Sequence, residues 1–497
     1  MRALLLTVDQ ARLRFLLLTA GAAFLLAMML LYAMESFPMR WFGMIAAGMT
    51  IFLAAVISGK YERFMLGLIF FAIPFNVDVY FNIGPSLAAM NLPSGTPRFG
   101  ISVIDFALLT LYPLWLLQMA VHRNSEKLIW PSGTIWFLCF IGWAALSMIQ
   151  ARNTLLSLFM LGSFVKIFFL FFYLANHIRT REDLWFFVRM LLIGLIAECL
   201  LCLAQQASGS NLGLHVLGER LEEKELALST GRFLRVGGTL GHPNFLGAYL
   251  TSLLPVAFAV SLSSIKLSRR LLAFTGLILG SLVLVLSFSR SAWLTTAAAF
   301  AIILVRVFFQ SKKNSSAGLF LALVVLVGGM VLAPLAPLIK ARLGEDDRGS
   351  TSSRLPQWQM GYTMLKAHPI FGVGINNYSV VSQNYETYVV DPNTKNRVFL
   401  YNGRLHNFML ALAAEVGLVG LFWFLLFLWK ACREGWKKIK ASRGDWTEAI
   451  FTGLLLGLCC RMLNDLVHTG NLALNMIVWI YTACLLSGYK SQDSKNE

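Results

Sequence analysis

One arginine in this 497-residue sequence lies where it could hold a phosphate. Arg290 lies in the run SFSRSAW, which forms the whole turn between two long apolar stretches. An arginine is always protonated and can bind a phosphate through two parallel hydrogen bonds. The alternative is an interface anchor beside Trp293, with its charged head in water. Because anchoring cations prefer the cytoplasmic side of a membrane, an arginine in an outer turn mildly favours a functional role.

One histidine lies where it could accept a proton. His406 follows Arg404 and Leu405 and precedes Asn407, directly before an apolar helix. Imidazole can take a proton near neutral pH. A single histidine beside a helix start is more often a cap or a core residue, so the spacing alone favours the structural interpretation. Further along the helix are Glu415, Gly417 and Gly420.

Two more segments carry polar side chains on the same predicted side. The run GGTLGHPN ends at Asn244, and it is typical of a tight turn that enters a helix. After Ser352-Ser353, a helix is predicted from Arg354 to the His368-Pro369 pair. Its apolar side chains recur at helical spacing (Leu355, Trp358, Tyr362 and Leu365). Such a helix would lie in the membrane interface or cover the bundle as a surface helix.

Ionisable groups also occur inside the apolar stretches. Lys166 and Glu198 have matched depth on consecutive helices, which predicts an ion pair. Near the outer end of another helix, Asp465 can pair with Arg461 four residues before it, and His468 shares their face. Structural pairing is the preferred interpretation, and a proton or ion path is the alternative. Asp465 and His468 are also candidates to support a nearby site.

The composition is that of a membrane protein. Hydrophobic residues make up 57% of the chain and charged residues only 13%, which excludes a disordered protein and disfavours an ordinary soluble enzyme. We predict an all-α polytopic fold with about fourteen transmembrane helices. The spans are 15–34, 41–58, 64–82, 102–121, 133–150, 155–176, 184–206, 245–264, 271–288, 291–309, 317–339, 407–429, 447–466 and 471–487. The first is read as a retained helix and not as a cleaved signal peptide.

Basic residues set the predicted orientation. The net charge is +17, and most lysines and arginines fall in alternate segments, such as the run from Lys430 to Arg443. The short opposite loops hold Arg40, Arg98, Arg152 and Arg290. This positive-inside pattern predicts both termini in the cytoplasm and no role in binding nucleic acid. The chain is then one membrane domain, 1–497, with long outer loops at 207–243 and 340–405. The second loop would carry part of any site.

Several motif classes are absent from the sequence. It contains no Walker loop, no HExxH, no GxSxG and no cysteine or histidine spacing suited to a metal. No metal and no cofactor is therefore predicted.

Four stretches in this order resemble the bacterial O-antigen ligase and O-antigen polymerase superfamily. They are GTLGHPNFLGAYL, SFSRSAWL, SSRLPQWQMGYTMLKAHPIFGVGINNY and HNFMLALAAEVGLVG, within residues 235–420. The last is the most specific, since His406-Asn407 followed by Gly417 and Gly420 fits the ligase pattern. About fourteen spans is nearer to the polymerases, because ligases usually have about twelve.

The resemblance implies a membrane glycosyltransferase with a type C-like helical bundle. It implies that a glycan moves from undecaprenyl diphosphate to an acceptor hydroxyl, on lipid A–core or on another glycan, at the periplasmic face of the bacterial inner membrane. By position, Arg290 and Arg354 match the diphosphate-binding arginines and His406 matches the proposed general base. We expect six further residues to support this site (Asn244, Arg404, Asn407, Glu415, Asp465 and His468).

Three functions remain open at this point. A ligase attaches a finished glycan, a polymerase joins lipid-linked repeat units, and both would be metal-independent and inverting. A polysaccharide transporter or flippase is the less favoured alternative, since it predicts paired discontinuous helices that the sequence lacks.

Overall fold

The computed structural model describes residue 50 and thirteen segments. These are 60–75, 78–80, 100–121, 128–219, 225–228, 231–310, 329–330, 333–344, 354–385, 388–390, 397–399, 405–468 and, at the C-terminal side, 476–489. The chain divides into two compact units. The smaller contains Met1–Ala72 and Ile101–Ser125, and the larger contains Ile73–Gly100 and Glu126–Glu497.

Two helices of the smaller unit lie within the described residues. Helix α1 spans Tyr61–Phe71 and packs on α2, Val103–Val121. The predicted span 64–82 is wrong as one continuous helix, because α1 ends before Pro74 and a short strand, β1, follows at Asp78–Tyr80. Strand β2 spans Gly100–Ser102. The predicted spans 15–34 and 41–58 lie outside the described residues, except for Thr50.

Within the described residues, seven helices are long and apolar enough to cross a membrane. In the larger unit the helices before residue 345 are α3 (Thr134–Ser147), α4 (Thr154–His177), α5 (Arg181–Ser208), α6 (Pro243–Ser261), α7 (Leu267–Leu286), α8 (Arg290–Gln310) and α9 (Ala336–Gly344). Those after it are α10 (Arg354–Ala367), α11 (Tyr378–Val381), α12 (Phe408–Ala441), α13 (Trp446–Asp465) and α14 (Met476–Leu486). The seven candidate spans are α4 to α8, α12 and α13, and α2, α3 and α14 are shorter apolar helices. The helical membrane fold is thus confirmed, while the total of fourteen spans stays a prediction.

Helix α6 is the centre of the larger unit. It packs against α7, α8 and α13, and all its residues except Asn244 and Phe245 are buried. Two glycines of α13 permit the close approach, because a Cβ on Gly453 would meet the backbone of Val256 and one on Gly457 would meet the carbonyl of Ser252. Small residues at such contacts are typical of helix packing in membranes.

The described parts of the outer loops are not purely helical. Strands β3 (Glu225–Leu228) and β4 (Gly231–Leu234) pair antiparallel, with Glu225 opposite Leu234. Strands β5 (Tyr388–Val390) and β6 (Arg397–Phe399) form a second antiparallel pair. Short 3₁₀ turns lie at His215–Leu217, Gly238–Leu240, Ala333–Leu335 and Ser382–Asn384.

Helix α10 begins and ends where the sequence predicts, but its packed face differs. Gln357, Met360, Gly361 and Met364 are buried, whereas Leu355 and Tyr362 are 58% and 62% exposed. Gly361 decides the orientation, since a Cβ there would meet Leu405 at 2.7 Å. The apolar stripe predicted from spacing is therefore not the face that packs on the bundle.

A break inside α12 holds the segment after α10. At Gly417 the backbone has φ 70° and ψ 179°, so the helical ladder is interrupted. The carbonyls of Ala414 and Glu415 accept instead from the N–H groups of Val373 (2.9 Å) and Gly374 (3.0 Å), and Leu418 N donates to Pro369 O (2.8 Å). This turn docks the loop beside the start of α12.

The far side of the same loop is bound to the start of α4. The Asn377 side chain accepts from Asn153 N at 2.7 Å and donates to Ser157 Oγ at 2.8 Å. Asn376 donates to the carbonyl of Leu156 at 3.0 Å. The run GVGINNY is therefore a turn that closes the loop.

Candidate active site

Several helix ends meet at one end of the larger unit. Helices α6, α8 and α12 begin there, and α7 and α13 end there. Ser291 at the start of α8 bonds Asn464 near the end of α13 at 2.7 Å. Arg235, which precedes α6, donates to the carbonyl of Ser287 at the end of α7. We call this region the arginine end, after Arg235, Arg290, Arg342 and Arg354.

Arg290 is the first residue of α8 and is half-buried. The turn before it contains Phe288, a non-glycine residue with φ 53°. Trp293 donates its indole N–H to the carbonyl of Leu284 at 2.8 Å, which ties α8 back to α7. A guanidinium at a helix N-terminus adds its charge to that of the free N–H groups, so this position suits an anion.

Two further arginines, which sequence reasoning missed, lie beside the same turn. Arg235 donates from Nη2 to Ser287 O at 3.0 Å and to Asn244 Oδ1 at 3.1 Å. Arg342 donates to Phe288 O at 3.4 Å. Burial, followed by the charges of Arg342 and Arg290, lowers the pKa of Arg235 to about 10. Arginines spaced irregularly along outer loops carry no sequence signal that would group them.

Arg354 begins α10 and is also half-buried. Burial lowers the pKa of its guanidinium. Its charge acts on His468, as do those of His406 and Arg235. The structure therefore brings Arg290, Arg354 and His406 to one region.

His406 lies directly before α12, and its backbone is fixed from both sides. Its N–H donates to Gln357 Oε1 at 3.3 Å, and its carbonyl accepts from Trp358 Nε1 at 3.0 Å. The imidazole Nδ1 is buried. Asn407 caps α12, since its side chain accepts from Leu410 N at 3.0 Å. Asn407 therefore has a structural role, since it caps α12. The contacts of His406 with Gln357 and Trp358 are made by its backbone.

His468 lies just past the end of α13 and is held by α8. Its Nε2 is 2.7 Å from Ser291 Oγ, which also bonds Asn464 Oδ1. Burial, followed by electrostatic interactions with Arg354, His406, Arg461 and Arg235, lowers the pKa of His468 to about 3. His468 is therefore a neutral imidazole at neutral pH.

The predicted supporting carboxylates are engaged within the fold. Asp465 Oδ2 accepts from Arg461 Nε at 3.0 Å, as the sequence predicts. Glu415 Oε1 accepts from the N–H of Tyr378 at 3.2 Å, so it helps to bind the loop after α10. Arg404 lies outside the described residues.

The buried Glu198 holds the glycine turn before α6. Its oxygens accept from Thr239 Oγ1 at 2.6 Å and from Thr239 N at 2.9 Å. The sequence predicts an ion pair between Glu198 and Lys166, whereas the contacts described here join Glu198 to Thr239 in the turn. His242 caps α6, since its Nδ1 accepts from Asn244 N at 3.0 Å. Asn244 is thus the polar residue of this turn that contacts the arginine end.

The side chains of the arginine end determine which ligands suit it. Within the described residues, no group of three or more His, Cys, Asp or Glu side chains could hold a metal ion. The side chains gathered there are cationic or neutral, apart from Asp465, which is paired with Arg461.

Residues 275–425 match the O-antigen ligase family. The matched segment includes Arg290, Arg354 and His406, and it confirms the resemblance to the O-antigen ligase and polymerase superfamily of membrane glycosyltransferases. No curated protein matches the chain.

Proposed function

Since residues 275–425 match the O-antigen ligase family, we propose that this chain is a ligase-type membrane glycosyltransferase. It moves a glycan from undecaprenyl diphosphate to an acceptor hydroxyl on lipid A–core or on another glycan. The observation that carries the proposal is the convergence of Arg290, Arg354 and His406, which are far apart in sequence, at one end of the bundle.

The donor diphosphate is bound by Arg290 and Arg354. When the glycosidic bond breaks, negative charge develops on the leaving diphosphate oxygen, and fixed cations stabilise it. Arginine suits this task because its planar fork matches phosphate oxygens and its charge persists. Both guanidinium groups are half-buried, and each begins a helix. Restricted access to water strengthens their interaction with an anion.

His406 is the general base. The acceptor hydroxyl oxygen attacks the anomeric carbon, the bond from that carbon to the diphosphate oxygen breaks, and His406 takes the hydroxyl proton. Undecaprenyl diphosphate leaves with the bonding electron pair, and a single displacement inverts the anomeric configuration. The base contributes roughly 10²–10⁴ in rate.

The reaction takes place at the periplasmic face of the inner membrane, with both termini in the cytoplasm. The distribution of basic residues supports this orientation. In that orientation the arginine end faces the periplasm, and the described part of the loop 340–405 contributes Arg342 and Arg354 to it. The bilayer supplies the lipid-linked donor, and no metal or cofactor is used.

A polymerase that joins lipid-linked repeat units is the second candidate. The same three side chains serve that reaction, because donor and leaving group are unchanged. A transporter or flippase has less support, since a transporter has no need of a proton acceptor beside a diphosphate site.

Deleting the gene and separating the surface glycans by gel tests these functions. Loss of long chains on lipid A–core, with the lipid-linked polymer intact, supports a ligase. Single-repeat products support a polymerase, and lipid-linked glycan trapped in the cytoplasmic leaflet supports a flippase. Complementation with His406→Ala and with the matched control His368→Ala separates the site from general effects on folding. Full rescue by both variants would contradict the assigned chemistry.

A further inference from the structure

Two arginines bind consecutive carbonyls of the turn that precedes Arg290. Arg235 donates to Ser287 O from Nε (3.2 Å) and from Nη2 (3.0 Å), and Arg342 donates to Phe288 O at 3.4 Å. Ser287 follows the last residue of α7. Its carbonyl is therefore one of the groups that carry the partial negative charge of a helix C-terminus, where cations are favourable.

The turn itself is a strained one. Phe288 has φ 53° although it is not glycine, and it is 2% exposed. A non-glycine residue in this region is strained and persists only where its surroundings stabilise it. The contacts of Arg235 and Arg342 with the turn carbonyls, together with the packing of Phe288, stabilise this conformation.

Arg235 is itself fixed by buried groups of α5. The turn three residues after it is bound through Gly238 N to Gln205 Oε1 at 3.0 Å, and through Thr239 to Glu198. From the other side, Asn244 Oδ1 accepts from Arg235 at 3.1 Å. A chain of contacts thus runs from the middle of the bundle through Arg235 to the turn before Arg290.

Most donors of Arg235 are used within the fold. A guanidinium has five N–H donors. Three hydrogen bonds to Ser287 and Asn244 engage Nε and Nη2, so only Nη1 remains for other contacts. This geometry fits a side chain that orients its neighbours better than one that binds a ligand by its fork.

We propose that Arg235 and Arg342 are positioning residues, which clamp the 287–289 turn and so set the direction of Arg290 toward the donor diphosphate. This inference rests on the proposed function. It adds that the strength of diphosphate binding by Arg290 depends on two arginines, distant in the sequence, that act through the backbone of the turn.

A double-mutant cycle tests the clamp in the full-length protein reconstituted in nanodiscs, with undecaprenyl diphosphate as the probe. Arg235→Lys keeps the charge but cannot bridge Ser287 O and Asn244, so we expect Kd to rise about tenfold. Arg290→Lys should raise it by a similar factor or more. Because Arg235 acts through Arg290, the double variant should bind no more weakly than Arg290→Lys alone. Multiplied effects, or an Arg235→Lys Kd equal to wild type, would overturn the proposal.

Milder and matched variants keep the test interpretable if Arg235→Lys folds poorly. Asn244→Ala removes one contact of Arg235 and should weaken binding in the same direction by a smaller factor, which Arg290→Lys should again mask. Arg152→Lys is the control, since Arg152 is exposed and contacts Asn384 outside the arginine end. An Arg152→Lys effect as large as that of Arg235→Lys would also overturn the proposal.

Hydrogen exchange separates failure of the clamp from failure of the function. In Arg235→Lys the amides of residues 287–291 should exchange at least tenfold faster, while those of α6 and α13 remain protected. If wild type binds no lipid diphosphate but this local change occurs, the proposed function fails and the clamp stands. If wild type binds the lipid and the amides stay protected, the clamp fails.

Discussion

The two ends of the helical bundle differ in how often their cations are paired with carboxylates. At the predicted cytoplasmic end, three cations bond carboxylates, in the pairs Arg306–Glu448, Arg181–Asp445 and Lys430–Glu434. Three others at that end bond backbone carbonyls (Arg179, Arg270 and Lys438). At the arginine end, Arg235 and Arg342 bond backbone carbonyls and an amide. Arg461–Asp465 is an ion pair at this end.

The contrast distinguishes cations whose charge is neutralised by a carboxylate from cations whose charge remains and produces a positive electrostatic potential. A carboxylate cancels the charge of its partner, whereas a carbonyl satisfies hydrogen bonds and leaves the net charge in place. Accordingly, the pKa of Arg235 is lowered first by burial and then by the charges of Arg342 and Arg290. Binding of a diphosphate would stabilise such a cluster of positive charges. Substitutions at the arginine end should therefore weaken donor binding, whereas substitutions at the other end should lower thermal stability.

The largest expected effect is the loss of the base at the arginine end. His406→Ala should lower kcat by roughly 10²–10⁴ and leave donor binding intact, because the loss lies in the transition state. The backbone contacts of His406 with Gln357 and Trp358 do not need its side chain. Single-turnover transfer assays measure the rate. His368→Ala is the control, and near-normal transfer by His406→Ala would make His406 a structural residue.

Substituting cations at both ends tests the comparison directly. Arg290→Lys and Arg354→Lys keep the charge but lose the planar fork, so donor Kd should rise about tenfold or more, ~1.4 kcal/mol. Arg306→Lys, at the opposite end, should lower thermal stability slightly and leave donor Kd unchanged. Lipid-binding titrations and melting curves on the same samples separate the two outcomes. A weaker donor affinity in Arg306→Lys alone would remove the distinction between the ends.

The sequence predicts the long elements well, since their signals are local. Spans such as 155–176 and 184–206 were predicted from apolar length alone, and α4 and α5 extend them by a few residues. Pro369 and the serines before Arg354 likewise mark the ends of α10. Whether a segment forms a helix depends mainly on residues that are close together in the sequence, so it can be predicted from the sequence.

Features that depend on distant contacts were not predictable. Arg235 and Arg342 come together with the 287–289 turn only through tertiary structure. The packed face of α10 is set by Gly361, whose small size outweighs the apolar stripe through Leu355. The break at Gly417 has no signature in the sequence beyond the glycine itself.

That break provides a test of how the arginine end is held together. Gly417→Ala places a side chain at φ 70° and ψ 179°, where its Cβ would meet the carbonyl of Ile370. Strain of this kind costs of order 1–3 kcal/mol, so both the melting temperature and the transfer rate should fall. Gly162→Ala in α4 is the matched control, because its Cβ would meet nothing within 4 Å. Equal melting temperatures for the two variants would show that the loop does not need the break.

The smallest expected effect is the acid sensitivity that His468 gives to the arginine end. Burial and electrostatic interactions with Arg354, His406, Arg461 and Arg235 lower the pKa of His468 to about 3 from an ordinary value of 6.5. Between these values the unfolded chain binds a proton that the folded chain does not, so the free energy of unfolding falls as pH falls, by at most ~1.4 kcal/mol per pH unit. Above pH 6.5 this contribution is constant.

His468→Gln removes the titrating group and can keep a hydrogen bond to Ser291 Oγ from its amide. Melting curves at pH 7.5, 6.5 and 5.5 should therefore show a smaller loss of stability toward pH 5.5 in the variant than in wild type. The difference isolates His468, because the two proteins differ at no other titratable group. Cytoplasmic-end pairs such as Arg306–Glu448 contribute equally to both curves, since they are untouched. Parallel pH profiles would mean that His468 accepts a proton in the folded protein, and that the arginine end does not carry the positive field inferred from its contacts.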